Sequence, residues 1–279
     1  SIKMRSINST INIKPNISNK LSISELWLYR ELFYFFAWRD IKVRYKQTAI
    51  GAGWAVLQPL IVTIIFTFIF NRIVGIKSGG IPYPVFAYLG LMYWNMFSGA
   101  LTNISNSLVN SQAVITKIYF PRLIPPLSSA LVSIVDFVFA ALVFLGLLVF
   151  FKVMPDLIFG PIACLAALIL ISAFAIGFGT FLASVNVKYR DVRTALPFLI
   201  QVMMYASPVI YPIEIIPEQY RTLAYLNPAA GAVSLARAGL FGTEMSWMGL
   251  SISILVTVFF IALGLWYFKR SEKDFEDIV

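Results

Sequence analysis

The length of its apolar runs leaves this chain the least freedom. From Leu123 to Phe150 there is one charged residue, Asp136, and from Leu157 to Val185 there is none. Both runs exceed the roughly 20 residues that cross a hydrocarbon core as a helix. Hydrophobic residues make up 59% of the 279 and charged residues 13%, with mean hydropathy +0.81. A water-soluble core cannot hide that much apolar surface, so the solvent is a bilayer. The expected fold is an all-α polytopic membrane protein.

Six spans are expected, at about 54–74, 83–108, 123–150, 157–185, 194–211 and 247–268; the fifth carries Pro197 and Pro208. Lysine and arginine set the orientation, because cations flanking spans stay on the cytoplasmic side. Residues 1–53 hold nine of them, the loops 109–122 and 186–194 two and three, and the tail from Lys269 three. The opposite side holds only Arg72, Lys77, Lys152, Arg221 and Arg237. Both termini of this multi-pass chain are therefore expected on the cytoplasmic side of the membrane. The net charge of +9 orients the chain and does not mark a nucleic-acid binder.

Residues 1–23 are rich in Asn, Ser, Ile and Lys and read as a flexible cytoplasmic arm. Residues 24–48 read as an interfacial amphipathic helix: at 100° per residue Trp27, Tyr34, Trp38, Ile41 and Tyr45 fall within about 60°. Glu31, Arg39, Lys42 and Lys46 share the neighbouring arc, and Arg44 intrudes on the aromatic one. Such a helix either anchors the domain at the membrane surface and touches a partner, or is an aromatic-belt anchor alone. The transmembrane domain is expected over 49–270, with a cytoplasmic tail over 271–279. Between the last two spans, about 213–242 is broken by Pro, Asn-Pro and Gly into two pieces too short and too charged to cross. They read as re-entrant helices at the outer face, where broken backbone is tolerated only under protein or beside a water-lined cavity.

Much chemistry is excluded. There is no histidine, and Cys164 is the single cysteine, so no disulfide, zinc site or nucleophile–base pair is expected. No Gly-x-x-x-x-Gly-Lys-Ser/Thr occurs; Gly75–Ile76–Lys77–Ser78 lacks the Gly-Lys pair. If ATP drives this protein, the ATPase is another polypeptide.

Three polar features remain. The loops Asn110–Arg122 and Asn186–Arg193 combine a few charges with aromatics, which suits docking to a soluble partner and equally suits ordinary turns with positive-inside charges. Asp136 is the only acid within an expected span; it is either a functional carboxylate or hydrogen-bonded at a helix interface. Asn95, Gly99, Thr102, Asn103, Asn106 and Asn110 recur at helical spacing below Tyr93, Trp94 and Phe97. Neutral amides beside aromatic rings suit a hydroxyl-rich substrate sliding past, and the same residues also serve as helix–helix glue.

The run Arg39–Trp54 with Gln58–Pro59 resembles the membrane subunit of bacterial ABC exporters for O-antigen, capsule and teichoic-acid polysaccharides. So do Lys117–Arg122, Tyr189–Arg190–Asp191 and the segment Tyr205–Pro212. The resemblance covers roughly residues 24–270. It implies a homodimer of six-span subunits with two copies of a cytoplasmic ABC ATPase, which alone binds ATP and Mg, and no cofactor in this chain. It implies an undecaprenyl-diphosphate-linked glycan as substrate, exported from cytoplasm to periplasm. By the same resemblance Arg39, Asp40, Lys42, Arg44, Tyr45, Lys117, Tyr119, Phe120, Pro121, Arg122, Tyr189, Arg190 and Asp191 meet the ATPase. Tyr93, Trp94, Asn95, Phe97, Thr102, Asn106, Asp136 and Tyr205 are assigned to the substrate path. Pro212, Pro217, Tyr220, Arg221, Asn227, Pro228 and Arg237 are assigned to a periplasmic gate. The competing expectations are an ABC exporter of drugs, lipids or another small substrate, and an ion-coupled transporter or flippase working without ATP.

Overall fold

The computed structural model describes residues 27–46, 53–73, 80–118, 120–189 and 191–272. The arm 1–23, the stretch 47–52 and the end of the tail lie outside the described residues, as do Tyr119 and Arg190. The described residues form helices and turns, with no strand among them. In chain order the α-helices are α1 (Arg30–Lys46), α2 (Gly53–Phe66), α3 (Tyr83–Asn110), α4 (Gln112–Ile115), α5 (Ile124–Phe150), α6 (Phe159–Lys188), α7 (Asp191–Tyr205), α8 (Glu218–Ala224), α9 (Pro228–Phe241) and α10 (Trp247–Ser271). The wider π-helix Thr67–Ile73 extends α2, so helical structure covers the expected first span.

Local sequence explains where helices start. Prolines with no N–H to lose stand in the first turns of α3 (Pro84), α5 (Pro125, Pro126) and α9 (Pro228). The Asp156 carboxylate accepts from the N–H groups of Ile158 and Phe159 at the start of α6, and Ser246 accepts from Gly249 at the start of α10. Gly242 ends α9 in the left-handed region at φ 66°, which a side chain would strain.

Helix α3 is the hub, packed against α2, α5, α6 and α9. Tyr88, Leu89, Tyr93, Phe97, Leu101 and Ile104 along it are fully buried. Helices α6 and α10 approach so closely that a Cβ on Gly264 would overlap the carbonyl of Gly177, so only hydrogen fits at that crossing. Ile124–Phe150, Phe159–Lys188 and Trp247–Ser271 are long and apolar enough to cross a membrane. Their outer faces present Leu142, Leu145, Val149, Ile162, Leu165, Ile169, Leu255 and Phe259. Each such side chain left in water would forgo roughly 1.5–3 kcal/mol, so lipid is the solvent that suits them.

The structure departs from the sequence-based expectation in two elements. The fifth expected span, 194–211, is helical only to Tyr205 and then turns. The residue before a proline is driven out of the helical region, and Ser207 precedes Pro208. Fifteen residues in α7 rise about 22 Å, short of the roughly 30 Å hydrocarbon core. Helix α1 adds an inward face on which the aromatic periodicity carried no expectation. Trp27, Tyr34 and Trp38 point outward, while Leu32, Phe33, Phe36 and Ala37 face the bundle. Phe36 meets Phe120 at the foot of α5, and Tyr45 meets Phe139 half-way along it. Helix α1 therefore runs alongside the first half of α5.

A second core closes one end of the bundle, here the loop end: Phe36, Leu108, Ile115, Phe120, Ile124, Val187 and Phe268 meet there. At the far end α9 is buried against α3, α6 and α10, with α8 lying outside it.

Candidate functional site

Asp136 is the organising group. It stands half-way along α5, its side chain 16% exposed. The C-terminal end of α1 supplies both partners: the Arg44 guanidinium pairs with one carboxylate oxygen at 2.6 Å, and the Tyr45 hydroxyl donates to the other. Burial, with the bond to Asp136 added, raises the Tyr45 phenol above its ordinary pKa, so it stays a neutral donor. Asp136 is thus ion-paired and hydrogen-bonded at the interface of α1 and α5. Arg44 and Tyr45, expected to meet the ATPase, both bond within the subunit, and Arg44 remains half-exposed.

This clasp forms one wall of a cavity of about 130 Å³. Gln58 and Pro59 of α2 and Asn95, Ser98 and Gly99 of α3 also line it, with Met92, Met96, Phe137 and Ala140 as apolar lining among them. Four helices meet here, and Arg44 of α1 shares one space with Gln58–Pro59 of α2.

The polar ladder of α3 divides. Asn95 lines the cavity. Lower down, the Asn103 amide donates to the Ser133 hydroxyl, and the Asn186 amide donates to the Ser105 carbonyl at 2.8 Å and to Asn106 at 3.2 Å. These bonds tie α3 to α5 and α6. Thr102 is exposed, with its hydroxyl donating back to the Ser98 carbonyl. Tyr93, Trp94 and Phe97, expected along the substrate path, are core residues: all three are buried, and the Tyr93 hydroxyl donates to the Cys164 carbonyl. Large rings in the interior of α3 pack against α5 and α6 because their area is best removed there. Tyr205 is exposed on α7.

At the loop end the expected contact residues separate in the same way. Lys117, Ile118, Tyr189 and Asp191 are exposed. Phe120 is buried against Phe36, and Arg122 is buried with a guanidinium nitrogen donating to the Ile115 carbonyl at 2.8 Å. Arg122 thereby closes the 112–122 loop upon itself and offers no free face, and Pro121 is half-buried beside it. On α1, Arg39 pairs with Asp40 at 2.8 Å and lies over the Phe36 ring, while Lys42 is exposed.

The far end has its own node. Arg237 is buried; its guanidinium donates to the carbonyls of Pro208 (2.9 Å), Val209 (2.5 Å) and Phe86 (3.1 Å) and lies 3.5 Å from the Phe86 ring centre. Tyr83 donates to the Ile210 carbonyl, and Asn227 donates to Ser207 and to the Met203 carbonyl. The turn 206–212, with Pro212 buried, is thus pinned by α3 and α9. Arg237, expected in a gate, sits as an internal strut, and Asn227 and the buried Pro228 start α9 beside it. Pro217, Tyr220 and Arg221 lie on the outer surface of α8, where Arg221 donates to the Ile216 and Glu214 carbonyls. Tyr83, Phe86 and Asn186 carried no sequence signal of these roles, because each acts on a main-chain carbonyl or a side chain distant in the chain.

An all-helical bundle with apolar outer faces has the build of a membrane-embedded subunit. The ABC-2 type transporter family model matches residues 31–241, and the chain belongs to that family. Among its relatives, the O-antigen export system permease protein RfbA of Klebsiella pneumoniae is 27% identical over 245 residues, covering 86% of this chain and 92% of the relative. The polysialic acid transport protein KpsM of Escherichia coli is 26% identical, covering 84% and 91%. The capsule polysaccharide export inner-membrane protein CtrC of Neisseria meningitidis is 24% identical, covering 85% and 90%.

Proposed function

We propose that this chain is the channel-forming membrane subunit of an ATP-driven polysaccharide exporter. The observation that carries the reading is that relatives bearing O-antigen, polysialic acid and capsule names each match over nearly their whole length. The absence of a P-loop from the sequence agrees, since hydrolysis then belongs to a companion ABC ATPase. In this reading two copies of the chain pair with two ATPase copies and move an undecaprenyl-diphosphate-linked glycan from cytoplasm to periplasm. Helix α2 with its π extension, α3, α5, α6, α10, and α7 continued by the turn 206–212, make six crossings of the inner membrane. Helices α8 and α9 are re-entrant at the periplasmic mouth, and the loop end with both termini faces the cytoplasm.

Lys117, Ile118, Tyr189 and Asp191, exposed at the loop end, receive the ATPase. Helix α1 passes its motion to α5 through the Arg44–Asp136–Tyr45 clasp as a near-rigid displacement. The test is reconstitution of the chain with its ATPase in inverted vesicles supplied with lipid-linked glycan. ATP should drive glycan into the lumen, and Lys117→Glu should abolish glycan-stimulated hydrolysis while the subunit stays inserted. Export by the chain without any ATPase, or failure to retain an ATPase through purification, refutes the reading.

A further inference from the structure

We propose that the cavity beside the Arg44–Asp136 pair binds a single uncharged sugar ring by its hydroxyl edge. The inference rests on the reading of this chain as a glycan conduit and names the part of the cargo that this site recognises.

Charge decides first. The guanidinium is 2.6 Å from the carboxylate, so the pair contributes no net charge to the cavity. A diphosphate entering there would face the Asp136 carboxylate, and a cation would face Arg44, each in surroundings far less screening than water. A neutral polar group meets neither penalty. Donors and acceptors decide next. Carboxylate and guanidinium stand with the amides of Gln58 and Asn95 around one space, and that set offers acceptors and donors side by side, as adjacent hydroxyls of a sugar require. Apolar side chains line the same space, among them Phe137, held edge-on by the Tyr93 ring at 5.0 Å. A pyranose likewise carries hydroxyls and C–H groups on one ring. Size decides last: a cavity of about 130 Å³ equals about four waters at roughly 30 Å³ each, which takes the edge of one ring and not a folded chain. Tyr93, unavailable as a path-lining ring, acquires a role here, since it fixes the orientation of Phe137.

The test uses the full chain in lipid nanodiscs with Cys164→Ala and Ser98→Cys, the new thiol serving as a reporter in the cavity wall. Its reaction with a small maleimide is timed with n-octyl β-D-glucoside, n-octylphosphocholine or octyl triethylene glycol, three probes sharing one tail. The glucoside should slow labelling about fivefold at a few times its dissociation constant, and the other two should change it by less than about twofold. Asp136→Asn should weaken that protection about tenfold, and Gln58→Leu, which leaves the clasp intact, should weaken it as well. Equal protection by all three probes would assign the effect to the alkyl tail and overturn the proposal. No protection by any of them would leave a hydrated void only, with the same consequence. Glucoside protection in a preparation that fails to export keeps the site and removes the exporter reading; export without protection removes the site alone.

Discussion

Asp136 and Arg237 are both charges held inside a helical bundle, and they are satisfied in opposite ways. Arg237 is buried, and its guanidinium is solvated by three main-chain carbonyls and an aromatic face. Those carbonyls belong to α3 and to the turn after α7, so displacing the arginine takes the donors from the Pro208 and Val209 carbonyls of that turn. Asp136 is paired across two helices with side chains, and one of them, Arg44, is 47% exposed. When that clasp opens, Arg44 keeps an exposed side, whereas Arg237 has none. The first arrangement is a strut and the second a latch, because the cost of breaking a buried polar contact depends on whether solvent reaches the separated groups.

The largest expected effect tests the strut. Arg237→Ala should cost about 3–5 kcal/mol of stability, since several buried acceptors lose their donors at once; denaturant titration of the purified chain measures it. Arg237→Lys should recover less than half, because one ammonium cannot span the positions of a planar fork. Next comes Gly90, where a Cβ would overlap the Val209 carbonyl and crowd the Arg237 guanidinium. Gly90→Ala should cost about 1–3 kcal/mol by forcing α3 from the turn, read in the same titration. The smallest effect belongs to the latch. A double-mutant cycle of Tyr45→Phe and Asp136→Asn should give a coupling energy of about 1 kcal/mol, with a larger change in export than in stability. If Asp136→Ala destabilised the chain as much as Arg237→Ala, the distinction between strut and latch would collapse.

Much of the fold was legible before any coordinates. The helices α3, α5, α6 and α10 follow the expected second, third, fourth and sixth spans closely, because long apolar runs bounded by Pro, Asp and Ser leave little else to form. The inward face of α1 was not legible. Aromatic periodicity pointed to Trp27, Tyr34 and Trp38, yet nothing in periodicity distinguishes the face meeting lipid from the face meeting protein when both are apolar. The roles of Phe120 and Arg122 were hidden for a related reason. In a short basic loop, a cation reaching back to the Ile115 carbonyl and one reaching outward have the same local sequence. Asn95 and Asp136 were singled out as polar groups at membrane depth, but Gln58 as a neighbour of both was not.

The amino-acid sequence by itself determined the solvent of this protein and the positions of its three long apolar helices. Those follow from composition and run length, which act locally along the chain. Tertiary structure alone decided which polar groups face one another: Asp136 with Arg44 and Tyr45, Arg237 with the turn after α7, and the cavity among four helices. Hydrogen bonds and ion pairs act over a few ångströms between residues tens or hundreds apart in the chain, and only packing sets those distances.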